Sequence, residues 1–136
     1  MSNSQNYLKE IVKNLSKVKL TVKDIAKILG PQIKKDGKEI TVAINNPLFE
    51  SATIHEFDKR IYIDFKTKSK NLKLKDITDS PRSWSYSEIM DNLDESEAVC
   101  GFSFGKLHIS FIATIDGFKI TKNSLVNKVE ILIERL

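Results

Sequence analysis

A two-residue linker, Gly105-Lys106, joins two runs of alternating apolar and polar residues, and this feature constrains the fold more than any other. Residues 97–104 and 107–115 carry the period of two that is typical of strands with one buried face. A linker of two residues with glycine first is typical of a tight β-hairpin. The chain is therefore expected to contain an antiparallel sheet with one apolar face.

The same turn predicts the register of the hairpin. That register decides whether Cys100 and His108 can form a nucleophilic pair. The expected pairs are Phe104–Leu107, Phe102–Ile109, Cys100–Phe111 and Ser103–His108. Opposed residues share a face, so Cys100 is expected on the core side and His108 on the other. A Cys–His pair is excluded in this register, and Cys100 is interpreted as a small buried hydrophobe.

Strand patterns also occupy the first half of the chain. Ile40, Val42 and Ile44 alternate with polar residues. The runs "SATIHEF" and "IYIDF" flank a turn at residues 58–60 and predict a second hairpin. Asp116-Gly117 predicts one more turn, leading into a short strand at 118–120.

Helical spacing predicts four helices. Apolar residues repeat at helical intervals over 4–18. A second helix begins after Thr21, with Asp24 at the capping-box position, and ends at Gly30-Pro31. A capping box at Ser85 and Glu88 predicts a short third helix over 85–93, and apolar residues between 125 and 136 predict a C-terminal helix.

These elements predict an α+β fold with a mainly antiparallel sheet of five to six strands. The N-terminal and C-terminal helices are expected to pack on one face of that sheet. The chain of 136 residues is expected to form a single domain over 1–136. The predicted core comprises Ile11, Leu15, Ile25, Leu29, Val42, Ile61, Ile63, Phe65, Phe102, Leu107, Ile109, Phe111, Val129 and Leu132.

A near-repeat, "LTVKDI" at 20–25 and "LKLKDI" at 72–77, predicts two helix starts built alike. In each copy the aspartate would lie close to the positive N-terminal end of a helix. One interpretation is an internal duplication of α-then-β halves, about 20–71 and 72–120. The other is a chance match in a lysine-rich chain.

Charge alternates in blocks along the chain. Residues 59–75 hold seven basic residues and one acid, whereas 76–97 hold seven acids and one arginine. Patches of both signs favour protein recognition, although a solvated surface has the same composition. A nucleic-acid binder would favour one continuous basic face, and only three of the 22 basic residues are arginine.

Residues for catalysis or metal binding are scarce. The chain has one cysteine, so no internal disulfide can form. Its two histidines, His55 and His108, are far apart in the sequence, so no zinc site is expected. "GFSFGK" lacks the length and the hydroxyl residue of a phosphate-binding loop. We therefore expect no enzyme activity, no cofactor and no small-molecule substrate. Without a signal sequence or a membrane-spanning run, a cytoplasmic protein is expected.

Three segments, "LTVKDIAKILGP", "NPLFESATIHEF" and "YIDFKTKSKNLKLKDI", follow a rhythm of helix, strands and helix start over residues 20–104. In this rhythm the chain resembles small cytosolic immunity proteins of bacterial contact-dependent and type VI toxin–immunity systems. The resemblance implies a non-catalytic protein that binds and neutralises a cognate toxin. It carries over no individual binding residue.

The first candidate for a binding surface is the acidic block with its neighbouring aromatics. Aromatic residues beside charges are frequent at the centres of protein interfaces. Trp84 could equally close the edge of the core. The candidate partner-binding residues are Trp84, Tyr86, Glu88, Asp91, Asp94 and Glu95. The alternative hypothesis is a nucleic-acid-binding or ribonucleoprotein-associated module that uses the lysine-rich helices.

Overall fold

The computed structural model describes residues 4–17, 19–68, 70–78, 83–89 and 94–135, with backbone only for Ser4 to Lys9 and Phe104. The helices are α1 (Ser4–Leu15), α2 (Val22–Leu29) and α3 (Leu74–Ile77). The strands are β1 (Gln32–Asp36), β2 (Glu39–Ala43), β3 (Phe49–Phe57), β4 (Arg60–Thr67), β5 (Ser85–Glu88), β6 (Glu95–Phe104), β7 (Leu107–Asp116) and β8 (Val126–Arg135).

All eight strands form one antiparallel sheet in the order β1-β2-β3-β4-β8-β7-β6-β5. Strands β1 to β4 follow one another as neighbours, and so do β5 to β8. The two four-stranded meanders meet where the last strand of each, β4 and β8, pair. The α+β class with a mainly antiparallel sheet is confirmed, but the sheet has eight strands rather than five or six.

The predicted C-terminal helix is wrong, because its residues form β8 in the middle of the sheet. Val129, Ile131 and Ile133 alternate with half-buried or exposed residues and pair with β4 on one side and β7 on the other. β-branched side chains fit this pleated surface better than a helix. The helical spacing of the other apolar residues was coincidental, and hydrogen bonds to the preceding strand β7 and to the distant strand β4 decide the structure.

The short helix predicted over 85–93 is also wrong in its described part. Ser85–Glu88 form β5, which pairs with β6 from Ser96 to Val99. Met90 and Leu93 of that predicted helix lie outside the described residues. The expected strand at 118–120 is absent from the structure, whereas β1 was not predicted because its short lysine-rich run has no alternating pattern.

The register predicted for the β6–β7 hairpin is confirmed. Cys100 pairs with Phe111, Phe102 with Ile109, and Ser103 with His108. The turn at Gly105 has φ of 60°, a left-handed conformation that glycine adopts without strain. A turn of fixed length therefore determined which face each side chain of this hairpin occupies.

One face of the sheet is apolar and contributes to a core shared with the helices. Ile54, Ile63, Ile131 and Ile109 are fully buried there. Burying such a side chain contributes about 1.5–3 kcal/mol. Three predicted core residues differ: Phe102 is 36% exposed, Leu107 is half-buried, and Leu132 is half-buried on the opposite face.

The helices do not form the expected pair of N-terminal and C-terminal helices on the sheet. Helix α2 packs against β2 and β3, while α1 contacts α2 and α3. At the end of α2, Gly30 lies against the backbone of β2. A Cβ on Gly30 would overlap the carbonyl oxygen of Ala43, and the neighbouring Pro31 carbonyl accepts a hydrogen bond from the Ala43 N–H at 2.9 Å.

The near-repeat marks two helix starts at equivalent positions. In both copies the second residue is the N-cap and the third begins the helix, Val22 in α2 and Leu74 in α3. Thr21 Oγ1 accepts a hydrogen bond from the Asp24 N–H, and the Asp76 carboxylate accepts one from the Lys73 N–H. Each start precedes a four-stranded meander. Internal duplication stays a prediction that this shared order favours.

The two caps predict matched losses of stability. Thr21→Ala and Asp76→Ala should each lower the free energy of unfolding by about 1 kcal/mol, because each leaves a backbone N–H without its acceptor. Urea unfolding measures the change. Asp76→Asn keeps an acceptor oxygen and should lose less. Equal losses for Asp76→Asn and Asp76→Ala would show that the charge, rather than the hydrogen bond, stabilises α3.

Candidate functional site

The last strand in the sheet order, β5, carries the exposed part of the predicted binding surface. Tyr86 is 41% exposed, and Glu88 on the same strand is exposed. Pairing of Ser85–Glu88 with Ser96–Val99 fixes both side chains at the border of the sheet. An exposed tyrosine beside a carboxylate at a sheet border is a suitable anchor for a protein partner.

Trp84 does not share this exposure. It is only 6% exposed and belongs to the core, and its indole Nε1–H donates to Thr78 Oγ1 at 3.2 Å. The hydrogen bond satisfies the single polar atom of the side chain, as buried tryptophans usually require. Of the two interpretations of Trp84, closure of the edge of the core is the one that its position favours.

The other carboxylates of the predicted surface gather at the start of β6. Asp94 is exposed, and its carbonyl accepts a hydrogen bond from the Gly117 N–H at 2.8 Å. The Asn127 side-chain amide donates to Glu95 Oε2 at 2.7 Å and to Asp116 Oδ1 at 2.6 Å. One amide thus holds two carboxylates together. Asp91 lies outside the described residues.

We name the group of Tyr86, Glu88, Asp94, Glu95 and Asp116 the acidic edge. Asp116 was not among the predicted residues, although its pairing with Glu95 follows from the predicted hairpin once that hairpin is extended. Four carboxylates at the ends of the three neighbouring strands β5, β6 and β7 create a local negative potential. Such a potential attracts basic surfaces over about one Debye length, roughly 8–10 Å in physiological salt.

A second cluster lies on the polar face of the sheet, at the junction of the two meanders. Asp64 of β4 and Glu130 of β8 are directly opposed in the register, and we call them the carboxyl pair. Lys128 Nζ lies 3.9 Å from Asp64 Oδ1 and 3.7 Å from Glu130 Oε2. Two carboxyls opposed in a sheet repel each other when both are ionised, so their protonation is coupled.

The side chain of Glu130 is only 20% exposed, and its protonation reflects that position. The pKa of the Glu130 carboxyl is raised to about 7, first by burial and then by hydrogen bonding with Asp64 and by charge repulsion from Asp64. Glu97 adds repulsion, while Lys128 lowers the pKa. The Glu130 carboxyl is therefore partly protonated at neutral pH, where an exposed glutamate would be ionised.

Aromatic rings border the carboxyl pair. His55 and Tyr62 are opposed on β3 and β4, and their rings stack with centroids 5.1 Å apart and planes 9° from parallel. His55 Nδ1 lies 3.8 Å from Asp64 Oδ2, a distance that is too long for a hydrogen bond. The imidazole therefore does not orient the Asp64 carboxylate through a hydrogen bond.

The carboxyl pair was not predicted, because one of its two strands was assigned as a helix. Asp64 stands at a polar position of "IYIDF", and Glu130 stands at a polar position between Val129 and Ile131. Period-two alternation over 128–134 was the available signal. It could have identified β8, but not that β8 pairs with β4.

Cys100 and His108 lie as predicted on opposite faces of the β6–β7 hairpin. Cys100 is on the core side opposite Phe111, and burial raises the pKa of its thiol. His108 Nδ1 lies 3.1 Å from Ser103 Oγ on the polar face, and its ring lies over Gly101. The two side chains do not form a nucleophile–base pair.

Comparison with models of protein families, with curated proteins and with solved structures finds no match for this chain. Among the described residues, no helix has both the length and the apolar character needed to cross a membrane.

Proposed function

We propose that this chain is a non-catalytic inhibitor that binds a basic partner protein through its acidic edge, as an immunity protein binds a cognate bacterial toxin. The observation that carries the proposal is the exposed Tyr86 beside the exposed carboxylate Glu88 on the terminal strand β5. A resemblance in sequence rhythm over residues 20–104 supports the same class. Inhibition then comes from covering the partner's surface.

The acidic edge provides both attraction and affinity for such a partner. Its carboxylates accelerate association with a basic surface, because opposite charges steer diffusional encounter. Tyr86 offers a large apolar ring and a hydroxyl at low entropic cost, a combination frequent at hot spots. Clustered carboxylates also mimic the phosphates that a nuclease-like toxin binds.

Substitutions in the acidic edge are expected to lower the affinity of the chain for its partner protein. Tyr86→Ala combined with Glu88→Lys should weaken the complex at least thirtyfold, since removing a hot-spot residue costs about 2 kcal/mol or more. The partner is first recovered by affinity purification from native cells, then purified and titrated by calorimetry. Glu39→Lys, an exposed carboxylate at the opposite side of the sheet, is the matched control and should weaken binding less than twofold.

Stoichiometry distinguishes binding from catalysis in the same system. A non-catalytic inhibitor abolishes the partner's activity only when it reaches one equivalent. Full neutralisation at one hundredth of an equivalent would identify an enzyme and contradict the proposal. An unchanged affinity after Tyr86→Ala with Glu88→Lys would remove the acidic edge as the interface.

A further inference from the structure

A groove between α2 and the β1–β2 hairpin is the feature of the remaining surface with the clearest ligand chemistry. Two cavities of about 370 and 530 Å³ lie there, and both are lined by Lys23 and Ile40. We name the space that they form together the basic groove. It lies at the β1–β2 side of the sheet, whereas the acidic edge lies at the β5 side, the other end of the strand order.

The floor of the basic groove is apolar and its rim is cationic. Val22, Ala26, Ile40 and Val42 contribute the floor. Exposed lysines from both sides contribute the rim: Lys23 and Lys27 from α2, and Lys35 and Lys38 from the hairpin. Glu56 is the one acid among the described lining residues, so the groove carries an excess of positive charge.

We propose that the basic groove binds a short acidic peptide segment of a partner protein, one that alternates carboxylates with apolar side chains. The lysines pair with the carboxylates, and the apolar side chains cover the floor, so charge and hydrophobicity are both complementary. A nucleic acid would use the lysines but would leave the aliphatic floor uncovered, since its backbone is polar. Helix α2 has eight residues and spans about 12 Å, which matches three to four residues of extended peptide.

The edge strand β1 is poorly suited to a second mode of peptide binding, in which the peptide adds a further strand to the sheet. Its pairing with β2 shifts between Gln32 and Lys34, and Ile33 at this bulge is exposed. A bulge and neighbouring lysines discourage the addition of a further strand along β1. The segment is therefore expected to lie in the groove over α2 and the hairpin, rather than to extend the sheet.

The test uses the full chain and defined peptides. A fluorescent eight-residue peptide of alternating glutamate and leucine is titrated by anisotropy, beside a matched peptide in which glycine replaces every leucine. The glycine peptide should bind at least fivefold more weakly. Lys27→Glu with Lys35→Glu should weaken binding of the leucine peptide at least tenfold. The control Lys119→Glu with Lys122→Glu, exposed lysines of equal charge outside the groove, should change it less than twofold.

Several results would overturn the proposal. Equal affinity for both peptides, or equal losses from both lysine pairs, would show unspecific attraction. Mixed-sequence single-stranded RNA and vesicles with 30% anionic lipid are tested beside the leucine peptide. If either binds more tightly than the peptide, and the Lys27→Glu/Lys35→Glu variant loses that binding, the groove would be assigned to that ligand. Concentration-dependent self-association lost in the same variant would assign it to the acidic edge of a second copy. Because the acidic edge shares no residue with the groove, either proposal can fail alone.

Discussion

Replacing Gly30 with alanine is expected to lower the free energy of unfolding by at least about 3 kcal/mol. The added Cβ would overlap the carbonyl oxygen of Ala43, a backbone atom of β2 that cannot rotate away. Overpacking usually costs about 1–3 kcal/mol even where side chains can adjust, so a backbone clash belongs at or above that range. Since domains of this size are stable by only about 5–15 kcal/mol, this change would remove a large fraction of the total stability.

Gly37→Ala is the matched control for this prediction. Gly37 has φ of 62° but no atom near its absent Cβ, so alanine there costs only the backbone strain of about 1–2 kcal/mol. Thermal and urea unfolding followed by circular dichroism compare the two variants. A Gly30→Ala protein as stable as Gly37→Ala would contradict the close packing of the end of α2 on β2.

The second large effect concerns pH and the carboxyl pair. The pKa of Glu130 is raised in the folded chain to about 7. The folded state therefore retains a proton that the unfolded state releases near pH 4.5. The stabilisation is complete below about pH 4.5 and is lost as pH rises toward 7. We expect ionisation of Glu130 alone to lower the free energy of unfolding by about 2–3 kcal/mol between about pH 4.5 and pH 7. Above that interval we expect no further loss from this group.

The variant Glu130→Gln isolates the contribution of Glu130 to the pH dependence of stability. Glutamine keeps the shape and can donate a hydrogen bond to Asp64, but it does not ionise. The variant should exceed the wild type in stability at pH 8 by about 2 kcal/mol and should match it near pH 4.5. Glu134 lies four residues further along the same face of β8 and pairs with Arg60 at 3.2 Å. Glu134→Gln therefore serves as the control that keeps the pH dependence. A Glu130→Gln protein with the wild-type pH profile would show that another group is responsible.

Local patterns in the sequence predicted the elements that are closed by short turns. The β6–β7 hairpin was predicted to the residue, because the Gly105 turn and strict alternation act over a few positions. Helix α2 was predicted from Thr21 to Gly30 because caps are local hydrogen bonds. These features need no knowledge of distant partners.

Elements that depend on pairing with other strands were the ones predicted wrongly. β8 forms because β7, the strand before it, and β4, which is distant in sequence, each offer it an open row of backbone groups. β5 likewise forms against β6 despite a capping-box pattern. The same limit hid the carboxyl pair, which exists only once β4 and β8 are neighbours. The acidic edge was found in part, since charge blocks are visible in the sequence while burial of Trp84 is not.

The central position of β8 has a consequence for the order of assembly during synthesis. The ribosome makes this strand after the other seven, yet it occupies the middle of the sheet. Until it emerges, the β1–β4 meander and the β5–β7 portion each present an unfilled border, at β4 and at β7. A chaperone that shields extended segments would find its binding sites there, and the nascent chain is vulnerable to misassembly until its final ten-residue strand enters the gap.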